Sequence, residues 1–350
     1  MRTLGILLLT FLLVLAFNMH QAQAAEAYKV GFKTLGFWIP ARAMRIDINV
    51  WYPGTRNERT LNYPPWTIFA ARDCKVHSGK FPLLILSHPS PATRFSLHDT
   101  GRALAAQGFI VAAPTHAHDC LDNMQDLFTW DQLNNRVLEL KMTIDLVLSE
   151  KNLNEHIEDD AIGIIGIGAG GAASLLLGGA SPNCVAWADY CTNAAKNDIY
   201  CNPWSREKIN GICTFLPLKK TLTDKRIKSI VAVAPSFGML FNSTSFEKFL
   251  PNILIIAAEN DQLNPRDLHI DPIVSYLRGK ARLVIIPDAD VGAFLAPCPQ
   301  SLEHELPDLC RSVNLKERHT IHKRFWDALI TFFSTEFKDE IDMNQINLDE

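Results

Sequence analysis

Residues 162–177 read IGIIGIGAGGAASLLL. The first six are apolar without alternation, the pattern of a strand buried on both faces. From Ala169 to Leu177 the pattern is helical. Between the two lies a turn built from Gly166, Gly168, Gly170 and Gly171. A strand that runs through glycines straight into a helix has two chemical readings. One is a phosphate-cradling loop. The G-x-G-x-G-G spacing is not G-x-G-x-x-G, the position is mid-chain, and no acid ends a following strand at the required offset. The other is the sharp G-x-S-x-G turn that lifts a nucleophile above a sheet, with Gly168 standing where the serine would be. Small neighbours suit that turn, because the central residue takes strained dihedrals and backbone approaches it closely.

Further strands read outward from this centre at 46–52 (IDINVWY), 82–87 (PLLILS), 109–114 (FIVAAP), 230–234, 253–257 and 282–286. Helical patterns fall at 99–107, stopped by Gly108, at 127–148 with Val137, Leu140, Ile144 and Val147 on one face, and at 320–333. Buried strands alternating with helices predict one α/β unit, its mostly parallel sheet covered by helices on both faces. The rhythm breaks at about 181–228. That stretch holds four of the eight cysteines together with Trp187, Tyr190 and Trp204. Ligands in such sheets sit beyond the C-terminal strand ends, so the stretch is expected to form a disulfide-rich cap over them.

Residues 4–17 (LGILLLTFLLVLAF) follow a short positive start and precede a polar segment ending in Ala22, Gln23 and Ala24. This is a secretory signal over 1–24, too short for a span and ending in a cleavage pattern. It predicts export to the periplasm or outside, with no stable membrane anchor after cleavage. The domain is expected over 25–337, with a polar acidic tail at 338–350. Of the eight cysteines the earliest is Cys74, and an even count in an oxidising compartment reads as up to four disulfides. Local spacing suggests Cys298 with Cys310, and one pair among Cys184, Cys191 and Cys201. A net charge of −4 with scattered Lys and Arg gives no footprint for nucleic acid. No cofactor signature is present.

Five segments, in order, resemble the exported dienelactone hydrolase-like group of α/β-hydrolases, itself similar to platelet-activating-factor acetylhydrolases. They are VGFKTL at 30–35 with VWYPG at 50–54, residues 86–119 (LSHPSPATRFSLHDTGRALAAQGFIVAAPTHAHD), residues 162–171, ILIIAAENDQLNP at 253–265, and IPDADVGAFLAPC at 286–298. The resemblance spans about 30–333 and implies the α/β-hydrolase fold and, for the family, carboxylic ester hydrolysis. It puts the family's nucleophile at Gly168, its histidine at Val291 and its acid at Asp261. Only the acid survives. A serine nucleophile needs an adjacent base, and removing either costs orders of magnitude. The resemblance places the oxyanion donors at the backbone N–H groups of Ser90 and Ala169, with His88 and Pro89 beside the pocket. A site that keeps these donors without a nucleophile binds a carboxylate or carbonyl without turning it over.

Two rival sites stand beside this one. His116 and His118 offer an H-x-H pair to a metal, with His88, His98 or Asp122 as further ligands. Ser90, next to His88, is a candidate relocated nucleophile, while Ser87 and Ser236 read as strand-end turn residues. The expected protein is thus a non-catalytic pseudo-hydrolase that binds a small molecule or a protein partner. The alternative is an ester hydrolase with a rearranged site.

Overall fold

The computed structural model describes residues 27–194, 196–215, 223–310 and 312–346. The signal assigned to 1–24 lies outside the described residues. Ten described strands form one sheet: β1 (Lys29–Ile39), β2 (Met44–Gly54), β3 (Arg59–Tyr63), β4 (Trp66–Arg72), β5 (Phe81–Ser87), β6 (Ile110–Pro114), β7 (Ile157–Ile167), β8 (Ile227–Val233), β9 (Asn252–Ala258) and β10 (Ala281–Ile286). Their order is β3-β4-β1-β2-β6-β5-β7-β8-β9-β10. β2 runs antiparallel to β1 and β6, and everything from β6 to β10 is parallel.

The unalternating apolar strands feed two cores at once, since successive side chains point to opposite faces. In β5, Leu83 and Ile85 enter one core, while Leu84 and Leu86 enter the other. On the first face lie α2 (Trp130–Ser149), which contributes Leu133, Val137, Leu140, Ile144 and Val147, and α3 (Ala169–Leu177). On the second lie α1 (His98–Ala106), with Leu104, and α6 (Leu315–Ile346), with Phe325, Leu329 and Phe333.

Three elements differ from the sequence reading. α2 starts at Trp130 rather than 127, because Thr129 caps it by accepting from the N–H of Gln132 (3.3 Å). α6 begins before residue 320 and continues to Ile346, through residues assigned to the tail. The β3–β4 hairpin was not expected.

Of the stretch read as a cap, residues 195 and 216–222 lie outside the described residues, and the rest holds two helices, α4 (Trp187–Asn193) and α5 (Pro203–Phe215). Disulfides Cys184–Cys213 and Cys191–Cys201 tie it together, and Cys298–Cys310 staples the loop before α6. Cys74 and Cys120 are buried free thiols, so three bridges form, within the expected maximum of four. Two cap tyrosines dock on the chain after β9. Tyr190 bonds His269 (2.7 Å), and the Tyr200 hydroxyl donates to Asn264 Oδ1 (2.9 Å). Three disulfides fit an oxidising compartment. Among the described residues no helix is long and apolar enough to cross a membrane.

Candidate functional site

β7 ends at Ile167 and α3 begins at Ala169, so Gly168 alone makes the turn, with φ 56° and ψ −118°. That φ lies in the left-handed region where a side chain is strained. A Cβ there would stand 3.2 Å from Pro89 Cβ and 3.5 Å from Ser236 Oγ. Gly170 is needed for another reason: a Cβ on it would collide with the carbonyl of Ser87 on the neighbouring strand.

Gly168 lines a cavity of about 360 Å³ under the cap. Val291 lines it too, so the segments carrying residues 168 and 291 do converge. A second cavity, about 560 Å³, adjoins the first and is lined by Asp261, Asp290 and Glu305. Ser90, Pro91, Leu263 and Val291 border both and form the waist between them.

Val291 opens a 3-10 turn, Val291–Phe294, capped by Asp290, whose carboxylate accepts from Ala293 N–H (2.9 Å). α6 holds this turn from outside. Arg318 donates to the carbonyls of Gly292 (2.7 Å) and Leu295 (2.8 Å), and His322 bonds that of Ala293 (2.9 Å).

Asp261 follows β9, and among the described residues no histidine bonds its carboxylate. Its Oδ1 accepts from the N–H groups of Leu263 (2.9 Å) and Asn264 (3.1 Å), and its Oδ2 from Asn264 Nδ2 (3.3 Å). Burial pushes its pKa up despite these bonds. Asn264 in turn receives the Tyr200 proton, so the carboxylate braces the segment that docks the cap.

The N–H groups of Ser90 and Ala169 have no protein acceptor among the described residues. Ser90 Oγ, in contrast, is fully committed: it donates to Asp119 and accepts from Gln132 (3.1 Å) and Arg136 (3.0 Å). A hydroxyl bound to a carboxylate whose pKa is held down beside Arg136 has no strong base. Ser90 therefore offers the cavity its backbone rather than a nucleophile.

His88 does not line either cavity. It is turned inward: Nδ1 donates to the Pro89 carbonyl (2.8 Å), Nε2 accepts from His116 N–H (3.1 Å), and Arg136 donates to the His88 carbonyl (2.5 Å). Burial, aided by Arg136, pushes the His88 imidazole down to about 3. Pro89 does face the cavity.

The H-x-H pair is split. His116 is wholly buried, with Nε2 on Ser87 Oγ (2.8 Å) and Nδ1 on Glu139 Oε2 (2.9 Å). His118 turns towards Asp126 (3.8 Å), its own φ at 57°. Among the described residues no group of three His, Cys, Asp or Glu side chains is arranged to hold a metal. Ser87, His116 and Glu139 follow one another as serine, histidine and acid, but all three are wholly buried and none lines either of these two cavities.

Ser236 is the residue sequence reasoning passed over. It follows β8, its N–H donates to the Gly168 carbonyl (3.0 Å), and its hydroxyl reaches the cavity. The Tyr200 ring lies against Phe237, the residue after Ser236, with ring centroids 5.6 Å apart. A lone serine after a strand carries no signal of this; only its place beside the Gly168 turn does.

No family model matches the chain, and no curated protein matches it. Among solved structures it is similar to a ferulic acid esterase from Streptomyces cinnamoneus, with a TM-score of 0.59 and 14% identity over 91% of this chain and 93% of that one. It also matches a putative dipeptidyl aminopeptidase IV from Bacteroides ovatus at a TM-score of 0.47 and 10% identity, covering 90% of this chain but 37% of that one. The first likeness, with the strand order, makes the fold that of an α/β-hydrolase.

Proposed function

We propose that this is an exported pseudo-hydrolase of the dienelactone hydrolase-like group, which binds a small molecule in the capped cavity without hydrolysing it. One observation carries the reading. Gly168 and Val291, where the resemblance puts the family's nucleophile and base, both line one cavity, and neither has a reactive group. The remaining hydroxyls do not replace them. Ser90 is committed to Asp119, and among the described residues the Ser236 hydroxyl bonds no histidine or carboxylate that could act as its base. Among the described residues no histidine lines the cavity. The free N–H groups of Ser90 and Ala169, the latter at the start of α3, suit a carbonyl oxygen.

Hydrolysis of a short-chain activated ester by residues 25–350 tests this, beside the Gly168→Ser/Val291→His double variant. The natural chain is expected to give no turnover above buffer, and the double variant to give some. Turnover by the natural chain sinks the reading. The rearranged ester hydrolase is then favoured, and the observation behind it is the Ser87–His116–Glu139 chain of bonds. Loss of that turnover in Ser87→Ala would identify it, and loss in Ser236→Ala would identify the cavity hydroxyl instead.

A further inference from the structure

We infer that two copies of this chain pair through β10, antiparallel about a two-fold axis at Val284, so that one sheet runs through both. The pairing does not depend on what the cavity binds.

The sheet has two ends, and they are finished differently. At one end β3 is short, and Arg59, Thr60 and Asn62 face solvent. Short, polar edges discourage further pairing. At the other end β10 has β9 on one side and, among the described residues, no strand on the other. Every residue of β10 but Arg282 is apolar. β9 is buried from Ile253 to Ala258, whereas in β10 only Ile286 is. Leu283 and Val284 are half-buried, and Ile285 is 38% exposed. Arg282 is the one charge in the strand that could guard this edge. It is turned onto α6 instead, where it pairs with Glu336 (2.9 Å) and lies over the Phe332 ring (5.5 Å).

The backbone of β10 is also open. The Ile286 carbonyl accepts from the Glu259 N–H (3.1 Å), on the β9 side. Backbone groups alternate sides along a strand, so those of Ala281, Leu283 and Ile285 point away from the sheet. Pro287, next in that series, has no N–H and ends the edge.

What fits this edge is the edge itself. Arg278 and Lys280 precede the strand, and Asp288 and Asp290 follow it. A parallel copy would set like charges side by side, whereas an antiparallel copy sets bases against acids. With Val284 on the axis, Leu283 exchanges both backbone bonds with Ile285 of the second copy, and the two side chains cover each other on one face. The exposed Lys280 then comes to the end of the strand where the second copy's exposed Asp288 stands. One patch serves both chains, so the contact closes as a two-fold dimer and does not run on as a fibre.

The test is sedimentation of residues 25–350 at micromolar concentration. The natural chain is expected at twice the monomer mass. Ile285→Lys, which puts a charge on the open edge, is expected at the monomer mass. Lys280→Glu should weaken association about tenfold at low salt, and adding Asp288→Lys should restore it. Oxidative crosslinking reads the register. Val284 opposes itself as a non-hydrogen-bonded pair, with Cα atoms about 4.5 Å apart, within disulfide reach. Val284→Cys should therefore oxidise to a covalent dimer. Ile285→Cys should not, because its copy lies diagonally off at about 7–8 Å. A monomer throughout the micromolar range, a dimer unchanged by Ile285→Lys, a mass that climbs past the dimer with concentration, or a crosslink through Ile285→Cys in preference to Val284→Cys overturns the inference.

Discussion

The two sides of the Gly168 turn are chemical opposites. Above it, in the cavity, a substrate would find no charged side chain among the described lining residues. Below it, beyond reach of solvent, Ser87, His88, His116, Asp119, Arg136 and Glu139 are packed into a network in which every member is bonded. The buried side even contains a serine, a histidine and an acid bonded in series. That series brings nothing to a ligand; it ties the end of β5 and the loop after β6 to α2. A set of reactive residue types becomes a site only where a reactant can arrive, and here the titratable groups serve as fasteners for the loop whose backbone faces the cavity.

The comparison is broken most directly at Arg136, which bonds Asp119, the His88 carbonyl and Ser90 Oγ. Arg136→Met leaves a buried carboxylate without its cation and should cost ~3–5 kcal/mol in denaturant unfolding. Adding Asp119→Leu should return a large part of that. If Arg136→Met costs under ~1 kcal/mol, the network is not what holds the loop.

The cap is the next test. Replacing Cys184 and Cys213 by Ala opens a bridge between residues 29 apart and should cost ~2–4 kcal/mol. Any binding in the cavity should fall with it, since Tyr200 and Trp204, between and within the helices this bridge ties, line it.

The buried histidines make acid the third lever. Burial pushes His88 and His269 down to about 3 and His116 well down. All three stay neutral in the folded chain while their unfolded counterparts take up protons below about 6.5. Their stabilisation is therefore whole above pH ~6.5 and is lost as pH falls towards 3, by ~1.4 kcal/mol per pH unit for each histidine. Unfolding midpoints measured from pH 7 to 5 should fall accordingly, and a flat profile would mean that water reaches these rings. Glu139 acts with the opposite sign. Burial pushes it up to about 8, so the folded chain holds a proton that the unfolded chain releases above about 4.5. The natural chain should lose stability relative to Glu139→Gln as pH climbs from 5 to 8.

The smallest effect belongs to the turn itself. Gly168→Ala puts a side chain at φ 56° and 3.2 Å from Pro89, and should cost ~1–2 kcal/mol without touching the network below.

Much of this architecture was legible because β7 and α3 carry unmistakable periods on either side of Gly168, and the observed helix has the bounds read from the sequence. The Cys298–Cys310 bridge, and one among Cys184, Cys191 and Cys201, were legible from short spacing. The β3–β4 hairpin was not: its strands are short and turn at Pro64 and Pro65, residues that read as loop. Convergence of 168 and 291 followed from the resemblance, which says where loops end. The inward turn of His88 and the outward turn of Ser236 did not follow, because the side a residue takes just past a strand end depends on bonds to distant partners. Arg136, which holds the His88 carbonyl, is 48 residues from it.

The waist between the two cavities is gripped from opposite faces of the sheet. Ser90 is fastened by Arg136 of α2 on one face. The turn bearing Val291 is fastened by Arg318 and His322 of α6 on the other. With both jaws bolted to separate helices, the passage works as a calliper set by the sheet between them. A compound longer than one cavity must fit that fixed gap, so affinity should change abruptly with the girth of a ligand at its midpoint and only gradually with the bulk of its ends.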